Sequence, residues 1–324
     1  MRVGQNPAKF IQEVAQPQLV TVAVVSYVPF LGGYYAEGLE VLRTCMRSIR
    51  ENTGNPYDLM VFDNASCQEV RSYLVEEAES GRIQYLTLSD KNIGKAGAWN
   101  FIFAAAPGET VAYADSDVYF YPGWLEAQMQ VMETLPNVGM VTGMPLRNPE
   151  KFSTSTVRWA EEDQQARLER GALMPWEDFW RHVRSLGYTE AEARRIYAEG
   201  EDVCLYYQNR RYYVGAGHFQ FVAPRKVLQE VLPIPSRRPM GEVRLLDIAL
   251  NEKGYLRVCT PDWWVRHMGN SLSEQEEIPS GRTKKSPTKE RGKSMRRLLM
   301  WIHQRTFEAL YVQGKRGRHP YRRG

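Results

Sequence analysis

The stretch VAYADSDVYFYPGW, residues 111–124, begins as an apolar strand and then places Asp115 and Asp117 two residues apart. Side chains two positions apart in an extended chain project to the same side, so both carboxylates can address one ligand. Carboxylate oxygens suit Mg²⁺ or Mn²⁺, and these cations bridge phosphate oxygens. The stretch therefore predicts a buried strand that ends at a cation and phosphate site. An acidic strand end that merely begins a turn is the commoner alternative for an isolated pair of this kind.

The segments around this stretch alternate between strand-like and helix-like spacing. Apolar, valine-rich runs predict further buried strands at 19–26, 58–63, 82–88 and 138–143. Helical spacing separates them at 37–52, from a capping box of Ser66 and Glu69 to about residue 80, and at 124–135. This order predicts an α/β fold, Rossmann-like, with a mostly parallel sheet and helices on both faces.

The alternation stops at residue 148 and returns at 213. Residues 148–212 are polar with helical spacing, and predict an inserted helical subdomain after a first half at 17–147. Residues 213–270 regain strand character and predict the second half of the sheet domain. Residues 271–324 are basic, and the spacing near 294–311 predicts a short amphipathic helix there.

The chain has 324 residues and a net charge of +4, which conceals an uneven distribution. Residues 281–324 hold fourteen Lys/Arg and two Asp/Glu, so that segment carries +12 and the remainder −8. We rank docking of the tail helix on its own domain or on a second subunit first. Peripheral contact with an anionic membrane ranks second, and nucleic acid, which we regard as unlikely, third.

Other nucleotide-binding and metal motifs are missing from the sequence. There is no GxxxxGK[ST] loop, no complete GxGxxG fingerprint and no calcium-loop pattern. The four cysteines form no CxxC pair, and no basic-then-apolar leader opens the chain, so we expect reduced thiols in a cytoplasmic protein. Peripheral binding at the inner face of the membrane is the alternative placement.

Polar residues follow three of the predicted strands. Ser26 and Tyr27 end the first, Asp63 and Asn64 the second, and Asp115-Ser116-Asp117 the fourth. Ligands of open parallel sheets bind at the carboxyl ends of the strands. We expect these side chains to converge on one edge.

Four motifs in this order, VAVVSYVPF, VFDNAS, NIGKAGAWN and YADSDVYFYPGWLE, resemble the GT-A glycosyltransferases, and most closely the inverting family 2, including its rhamnosyltransferase-like members. The resemblance covers residues 18–145 well and 212–270 more loosely. It implies a GT-A fold and a UDP, dTDP or GDP sugar as donor. It also implies Mn²⁺ or Mg²⁺ as cofactor, and a glycan, lipid-linked or protein acceptor.

The resemblance also implies roles for individual residues. Asp63 and the backbone near Ser26 and Tyr27 would hold the base, and Asp115 the ribose or sugar. The stretch from Asn92 to Asn100 would pass close to the diphosphate and sugar, with Lys95 adding charge. The residues implied in the nucleotide-sugar site are Ser26, Tyr27, Asp63, Asn64, Asn92, Gly94, Lys95, Asn100, Asp115 and Ser116.

For the metal, the resemblance implies Asp117 together with His267, because HMGN at 267–270 resembles the family's metal-site histidine segment. A structural histidine is the alternative. On the acceptor side we name Trp176, Trp180 and His218 as candidates, although aromatics at helical spacing more often form a core.

Direct displacement at the anomeric carbon needs one general base. The family usually has it in a Glu-Asp pair after the GAG strand, and this sequence lacks that pair there. Asp247 is favoured slightly and Glu242 competes with it; either could simply balance a helix dipole. Glu201 and Asp202 copy the pair but precede the GAG strand, so we interpret them as surface acids of the insertion.

The sequence thus favours a metal-dependent inverting glycosyltransferase. A catalytically inactive module of the same fold, binding a nucleotide sugar or a glycan, is the alternative, and the missing Glu-Asp pair favours it.

Overall fold

The structure is a computed structural model that describes residues 3–240 and 242–272. Its described strands are β1 (Val20–Ser26), β2 (Asp58–Asn64), β3 (Tyr85–Ser89), β4 (Thr110–Asp115), β5 (Val118–Phe120), β6 (Val138–Thr142), β7 (Arg167–Gly171), β8 (Asp202–Tyr207), β9 (Arg210–Val214), β10 (Gln220–Pro224), β11 (Leu256–Cys259) and β12 (Val265–His267). Its helices are α1 (Gly38–Asn52), α2 (Gln68–Glu79), α3 (Lys95–Ala105), α4 (Trp124–Thr134), α5 (Thr154–Glu162), α6 (Trp176–Ser185), α7 (Glu190–Glu199), α8 (Arg225–Gln229) and α9 (Arg244–Glu252).

Ten strands form one sheet in the order β3-β2-β1-β4-β10-β6-β11-β9-β8-β7. The pairings from β3 to β4 are parallel, β6 pairs parallel with β11, and β10 runs antiparallel between β4 and β6. Only β7, β9 and β10 run against the direction of the other seven strands of this sheet. The predicted mostly parallel α/β sheet is confirmed.

Both faces of this sheet are covered by helices. In β1 the residues at positions 20, 22 and 24 join a core with α1 and α2, whereas Ala23 and Val25 face a second core with α3, α8 and α9. Alternate residues of a strand point to opposite faces, so a strand buried on both sides has the continuous apolar sequence seen here.

A second, two-stranded sheet pairs β5 with β12 in antiparallel register. Its register places His267 opposite Val118 and Val265 opposite Phe120. The backbone N–H of Met268 then donates to the carbonyl of Asp117 at 2.7 Å. Residues 265–268 are thereby held against the acidic stretch that follows β4.

The helical prediction for 148–212 is only partly right. The segment contains α5, α6 and α7, but also β7, β8 and β9, which extend the main sheet by antiparallel pairing. β7 reads RLERG, without apolar alternation, because it is the outermost strand and has a neighbour on one side only.

The predicted capping box of Ser66 and Glu69 is also wrong. Helix α2 has Cys67 at its N-cap without a side-chain cap, while the Ser66 hydroxyl accepts the N–H of Val28 at 3.0 Å. Ser66 thus joins the first two strand ends instead of starting the helix.

All four cysteines are free thiols in the structure. No helix within the described residues is long and apolar enough to span a bilayer. The predicted tail helix near 294–311, with its docking, membrane and nucleic acid alternatives, lies outside the described residues.

Candidate functional site

The carboxyl ends of β1, β2 and β4 meet at one edge of the sheet. The strand register pairs Ser26 with Asp63 and Val25 with Asp115. Ser26 and Asp63 are fully buried, whereas Asp115 is partly exposed and Tyr27 protrudes beyond Ser26. The convergence that the strand ends predict is therefore present.

Asp63 has one satisfied and one unsatisfied oxygen. Its Oδ2 accepts the backbone N–H of Ser66 at 3.2 Å, while Oδ1 is buried without a hydrogen-bond partner among the described residues. Burial raises the pKa of Asp63, against the opposing hydrogen bonds from Ser66 and the charge of Arg71. A buried carboxylate oxygen left unpaired is costly, and an N–H group of a ligand would satisfy it.

Asn64 and Asn92 are bonded to each other and to the loop before α3. The Asn64 side chain donates to Asn92 Oδ1 at 3.1 Å and accepts the N–H of Ile93 at 2.9 Å. Asn92 Oδ1 also accepts the N–H of Gly94, whose φ of +78° favours glycine. These bonds build the loop, and of the two side chains Asn64 is buried whereas Asn92 is partly exposed.

The segment 234–239 lies across the start of α3. The Asn100 amide donates to the carbonyl of Ile234 and accepts its N–H, both at 2.7 Å. A Cβ on Gly94 would come within 2.6 Å of Ser236 Oγ and 2.7 Å of the Arg238 carbonyl. The small residues of the loop therefore admit the chain's own segment, and Asn100 fastens it.

Asp115 is held by two neighbours. Lys95 Nζ lies 2.6 Å from its Oδ2, and the Tyr113 hydroxyl donates to its Oδ1 at 2.6 Å. Burial, together with the charge and hydrogen bond of Asp115, raises the pKa of Tyr113 well above its ordinary value, so the phenol remains a donor. The charge of Lys95 that the sequence assigns to a phosphate is shared with Asp115.

Asp117 and His267 come together, as the sequence predicts. His267 Nε2 lies 3.2 Å from Asp117 Oδ2, and their side chains are 13% and 31% exposed respectively. The other oxygen of Asp117 is buried without a hydrogen-bond partner in the described part of the chain.

The two groups also shift each other's pKa. Burial opposes the ionisation of Asp117, but the charge and hydrogen bond of His267, aided by Lys95, hold its pKa below the ordinary value. Burial likewise opposes the charging of His267, and Asp117 overcomes it and raises its pKa. The pair lies between Asp115 and the insertion.

The insertion contributes two residues near His267 that sequence reasoning does not identify. Ser185 Oγ, on α6, lies 3.0 Å from His267 Nδ1, and the ring of His182 lies 6.3 Å from the His267 ring and stacks on Phe219. Burial, with a smaller contribution from the charge of His267, lowers the pKa of His182 to about 3, so this ring is neutral. Only the i, i+3 spacing of the two on α6 hinted that they share a face.

Asp247 has no exposed surface and lies in a cluster of basic groups. Its Oδ1 is 2.6 Å from Arg257 Nη2; its Oδ2 is 3.4 Å from Arg244 Nη1 and 3.5 Å from His218 Nδ1. Glu242, the competing candidate, accepts the backbone N–H of Arg237 at the base of the segment over α3. Asp247 is therefore enclosed, whereas Glu242 is only partly buried.

Interpreting Asp202 as a surface acid is wrong. Its carboxylate is buried, bound by Arg147 Nε at 2.6 Å, and accepts the N–H groups of Leu173 and Met174 at 2.9 Å each. It holds the insertion together because four N–H groups from three residues converge on it. Glu201, one residue earlier, is exposed as expected.

A cleft of about 440 Å³ opens between α6, α7 and residues 145–149. The α6 side chains on its wall are Phe179, His182 and Val183. Trp176 and Trp180 do not line it: their rings stack on each other at 5.9 Å and pack against the core. Their role as an acceptor platform stays a prediction, while the cleft beside them reaches toward His267 through His182.

Comparison with known proteins agrees with this geometry. The model of the family "Glycosyl transferase family 2" matches residues 34–215, more than half of the chain. An uncharacterized glycosyltransferase, alr2836 of Nostoc sp. (strain PCC 7120), is 28% identical over 100 residues, which are 31% of this chain and 31% of that protein. The chain thus matches about a third of the length of this curated relative.

Among solved structures, GalNAc-T7 shares the fold. GalNAc-T7 with UDP, GalNAc and Mn²⁺ superimposes with a TM-score of 0.50 and 15% identity, over 78% of this chain and 44% of that one. The mannosyltransferase PcManGT of Pyrobaculum calidifontis, in complex with GDP-Man and Mn²⁺, gives 0.44 and 19%, over 76% and 56%. The sheet, its strand ends and the family match lead to one conclusion: this chain is a GT-A-fold member of glycosyl transferase family 2.

Proposed function

We propose that the protein is a metal-dependent, inverting glycosyltransferase that moves a sugar from a UDP, dTDP or GDP donor to a hydroxyl acceptor. The observation that carries the proposal is the pair Asp117 and His267, brought to 3.2 Å at the edge where the strand ends converge. The family match supports the transfer class.

The residues at this edge fit a divalent cation. Asp117 keeps one buried oxygen without a partner, and His267 supplies a ring nitrogen beside the other. Within residues 3–240 and 242–272 there is no cluster of three or more His, Cys, Asp or Glu side chains that could hold a metal. Two protein ligands leave coordination positions for diphosphate oxygens and water. When bound, Mn²⁺ or Mg²⁺ would stabilise the charge of the departing diphosphate.

The donor would lie along the strand ends. Asp63, with its unsatisfied buried Oδ1, would accept an imide or amide N–H of the base beside Ser26 and Tyr27. Asp115, oriented by Lys95 and Tyr113, would accept hydrogen bonds from ribose or sugar hydroxyls. Asn64, Asn92 and Asn100 would shape the donor site through the loop that they brace.

Single displacement with inversion needs one proton acceptor and no carboxylate nucleophile. Asp115 would not act as a nucleophile, because Lys95 and the Tyr113 hydroxyl each bind one of its oxygens. The acceptor would enter from the side of the cleft along α6, since His182 connects that wall with His267. The acceptor hydroxyl would belong to a glycan, a lipid-linked acceptor or a protein.

A panel of UDP, dTDP and GDP sugars with Mn²⁺ tests the proposal, read as release of nucleoside diphosphate and as a rise in melting temperature. We expect one base to give both signals and Asp117→Ala to abolish turnover. Asp58→Asn is the matched control, because Asp58 begins β2 at the opposite edge and its Oδ2 accepts the N–H of Gln18 at 2.9 Å. Turnover unchanged in Asp117→Ala would reject the metal site.

The burial of Asp247 and the absence of an adjacent acidic pair favour a second candidate, a binding module without turnover. The same panel separates the two. A melting-temperature rise without diphosphate release, in the presence of sugar acceptors, would favour the module.

A further inference from the structure

We propose that His218 removes the proton of the acceptor hydroxyl and that the buried carboxylate of Asp247 positions it. The inference rests on the proposed glycosyl transfer. It replaces Asp247 and Glu242 as direct bases with a side chain that the sequence places only beside the acceptor.

Asp247 cannot touch an acceptor from its position. It is 0% exposed, and Arg257, itself 2% exposed, binds its Oδ1 at 2.6 Å. An ion pair with a buried guanidinium fixes the direction of the carboxylate. Its second oxygen is directed at His218 and Arg244. Asp247 can therefore act on the reaction only through a neighbour.

His218 is the neighbour that reaches the surface. Its side chain is 28% exposed, while its Nδ1 is buried, without a hydrogen bond in the described part of the chain, 3.5 Å from Asp247 Oδ2. This separation is longer than a formed hydrogen bond, and such contacts in sites without substrate tighten on binding. With the proton on Nδ1 facing the carboxylate, Nε2 keeps a lone pair for the acceptor.

His218 also lies at the correct edge of the sheet. It immediately precedes Phe219, whose carbonyl accepts the N–H of Asp115 at 2.8 Å. The Phe219 ring lies 5.6 Å from the ring of His267. The backbone thus places His218 beside the acidic stretch after β4, where the anomeric carbon of a donor on Asp115 and Asp117 would be.

The proposed reaction is a single displacement at the anomeric carbon. The acceptor O–H bond breaks and its proton passes to His218 Nε2, while the oxygen forms the new bond to the anomeric carbon. The bond from that carbon to the diphosphate oxygen breaks and its electron pair leaves with the diphosphate. The imidazolium, stabilised by Asp247, then releases its proton to solvent.

The test uses the full chain with Mn²⁺ and the nucleotide sugar that the panel identifies, with water as acceptor. We expect His218→Ala to lower kcat for diphosphate release by about 10²–10⁴-fold, the usual contribution of a positioned base, with little change in KM. Imidazole should restore at least about a tenth of the lost rate to the variant. Azide, a nucleophile without a proton to lose, should accelerate His218→Ala more than the wild type.

Two controls separate the possible causes. The melting-temperature rise caused by nucleoside diphosphate and Mn²⁺ should stay at the wild-type value in His218→Ala and His218→Asn, since donor binding is intact. Asp247→Asn should lower kcat in the wild-type background but add little in the His218→Ala background, because a positioning residue has nothing left to position.

Three other outcomes would each contradict one part of the proposal. Turnover of His218→Ala within threefold of wild type, or a slow variant that neither imidazole nor azide accelerates, would remove His218 as the base. Additive losses in the double variant would remove Asp247 as its positioning residue. If the wild type releases no diphosphate from any donor, the proposed function itself fails and the inference falls with it.

Discussion

His267 Nε2 lies 3.2 Å from Asp117 Oδ2, and two short strands keep it there. The pairing of β5 with β12 sets His267 opposite Val118, next to Asp117 in the chain. Each group favours the charged form of the other, so a cation bound at the ring nitrogen would compete with the histidine proton. The strength of the metal site should therefore depend on what holds the far side of the His267 ring.

Ser185 is the residue on that far side. Its Oγ lies 3.0 Å from His267 Nδ1 and is itself fixed by donating to the carbonyl of His182 at 2.6 Å. Groups bonded to the distal nitrogen of a ligand histidine typically contribute 10–100-fold to metal affinity. We expect Ser185→Ala to weaken Mn²⁺ binding about 10-fold, measured by electron paramagnetic resonance titration with UDP present.

Ser72→Ala is the matched control for this experiment, since Ser72 lies on the exposed face of α2 and its Oγ accepts from Gln68 on the same helix. That variant should bind Mn²⁺ as the wild type does. Equal affinities for all three proteins would mean that Ser185 has no part in positioning the ring.

Asp63→Asn should stabilise the fold and weaken donor binding together. Burial raises the pKa of Asp63 above the unfolded value of 3.8, so ionising it at neutral pH costs the folded state free energy that the unfolded state does not lose. The neutral amide removes this cost, and we expect a gain in the free energy of unfolding in the range common to stabilising single substitutions, about 0.5–2 kcal/mol. Thermal unfolding from pH 3 to 8, with and without nucleoside diphosphate, gives both quantities.

The stability advantage of Asp63→Asn should depend on pH. Below about pH 3.8 the carboxyl is protonated in both states, so the advantage of Asp63→Asn should disappear there and grow as the pH rises through the folded pKa. An advantage that is equal at every pH, or nucleotide binding that survives the substitution, would contradict the role given to Asp63.

Features set by short stretches of the chain were predictable from the sequence, whereas features set by the packing of distant segments were not. Strand ends such as Ser26 and Asp63 follow continuous apolar runs, and parallel pairing brings such ends to one edge, so their convergence was predictable. β7 was not, since an outermost strand held by backbone pairing needs no apolar alternation. Nor was Ser185, because its contact with His267 depends on how α6 packs, which no local pattern records.

The cysteines offer a test of the packing around the site. Cys45, Cys204 and Cys259 are fully buried, whereas Cys67 at the start of α2 is partly exposed. Burial raises the pKa of Cys204 to about 11 and that of Cys259 to about 12, so at pH 8 about one in a thousand Cys204 thiols or fewer is ionised. We expect 5,5′-dithiobis(2-nitrobenzoate) to titrate one thiol in the native protein and four in guanidinium. Fast reaction of two or more native thiols would contradict this packing.

The buried pair of Arg147 and Asp202 should dominate the stability of the insertion. Asp202 accepts two bonds from Arg147, at 2.6 and 3.1 Å, and two more from the N–H groups of Leu173 and Met174. Removing one charge of such a pair leaves the other unpaired away from water, which typically costs 3–5 kcal/mol. We expect Asp202→Asn to lower the free energy of unfolding by about 3 kcal/mol in urea titrations.

An exposed ion pair on α7 provides the comparison with the buried pair of Arg147 and Asp202. Glu190 and Arg194 are in contact at 2.8 Å, but both side chains are more than half exposed. Solvent screening leaves such helix pairs worth about 0.3–0.5 kcal/mol, so Glu190→Gln should shift the urea midpoint only slightly. Equal losses for the two variants would mean that the Asp202 carboxylate is hydrated in solution, because only a dry environment makes its charge expensive to leave unpaired.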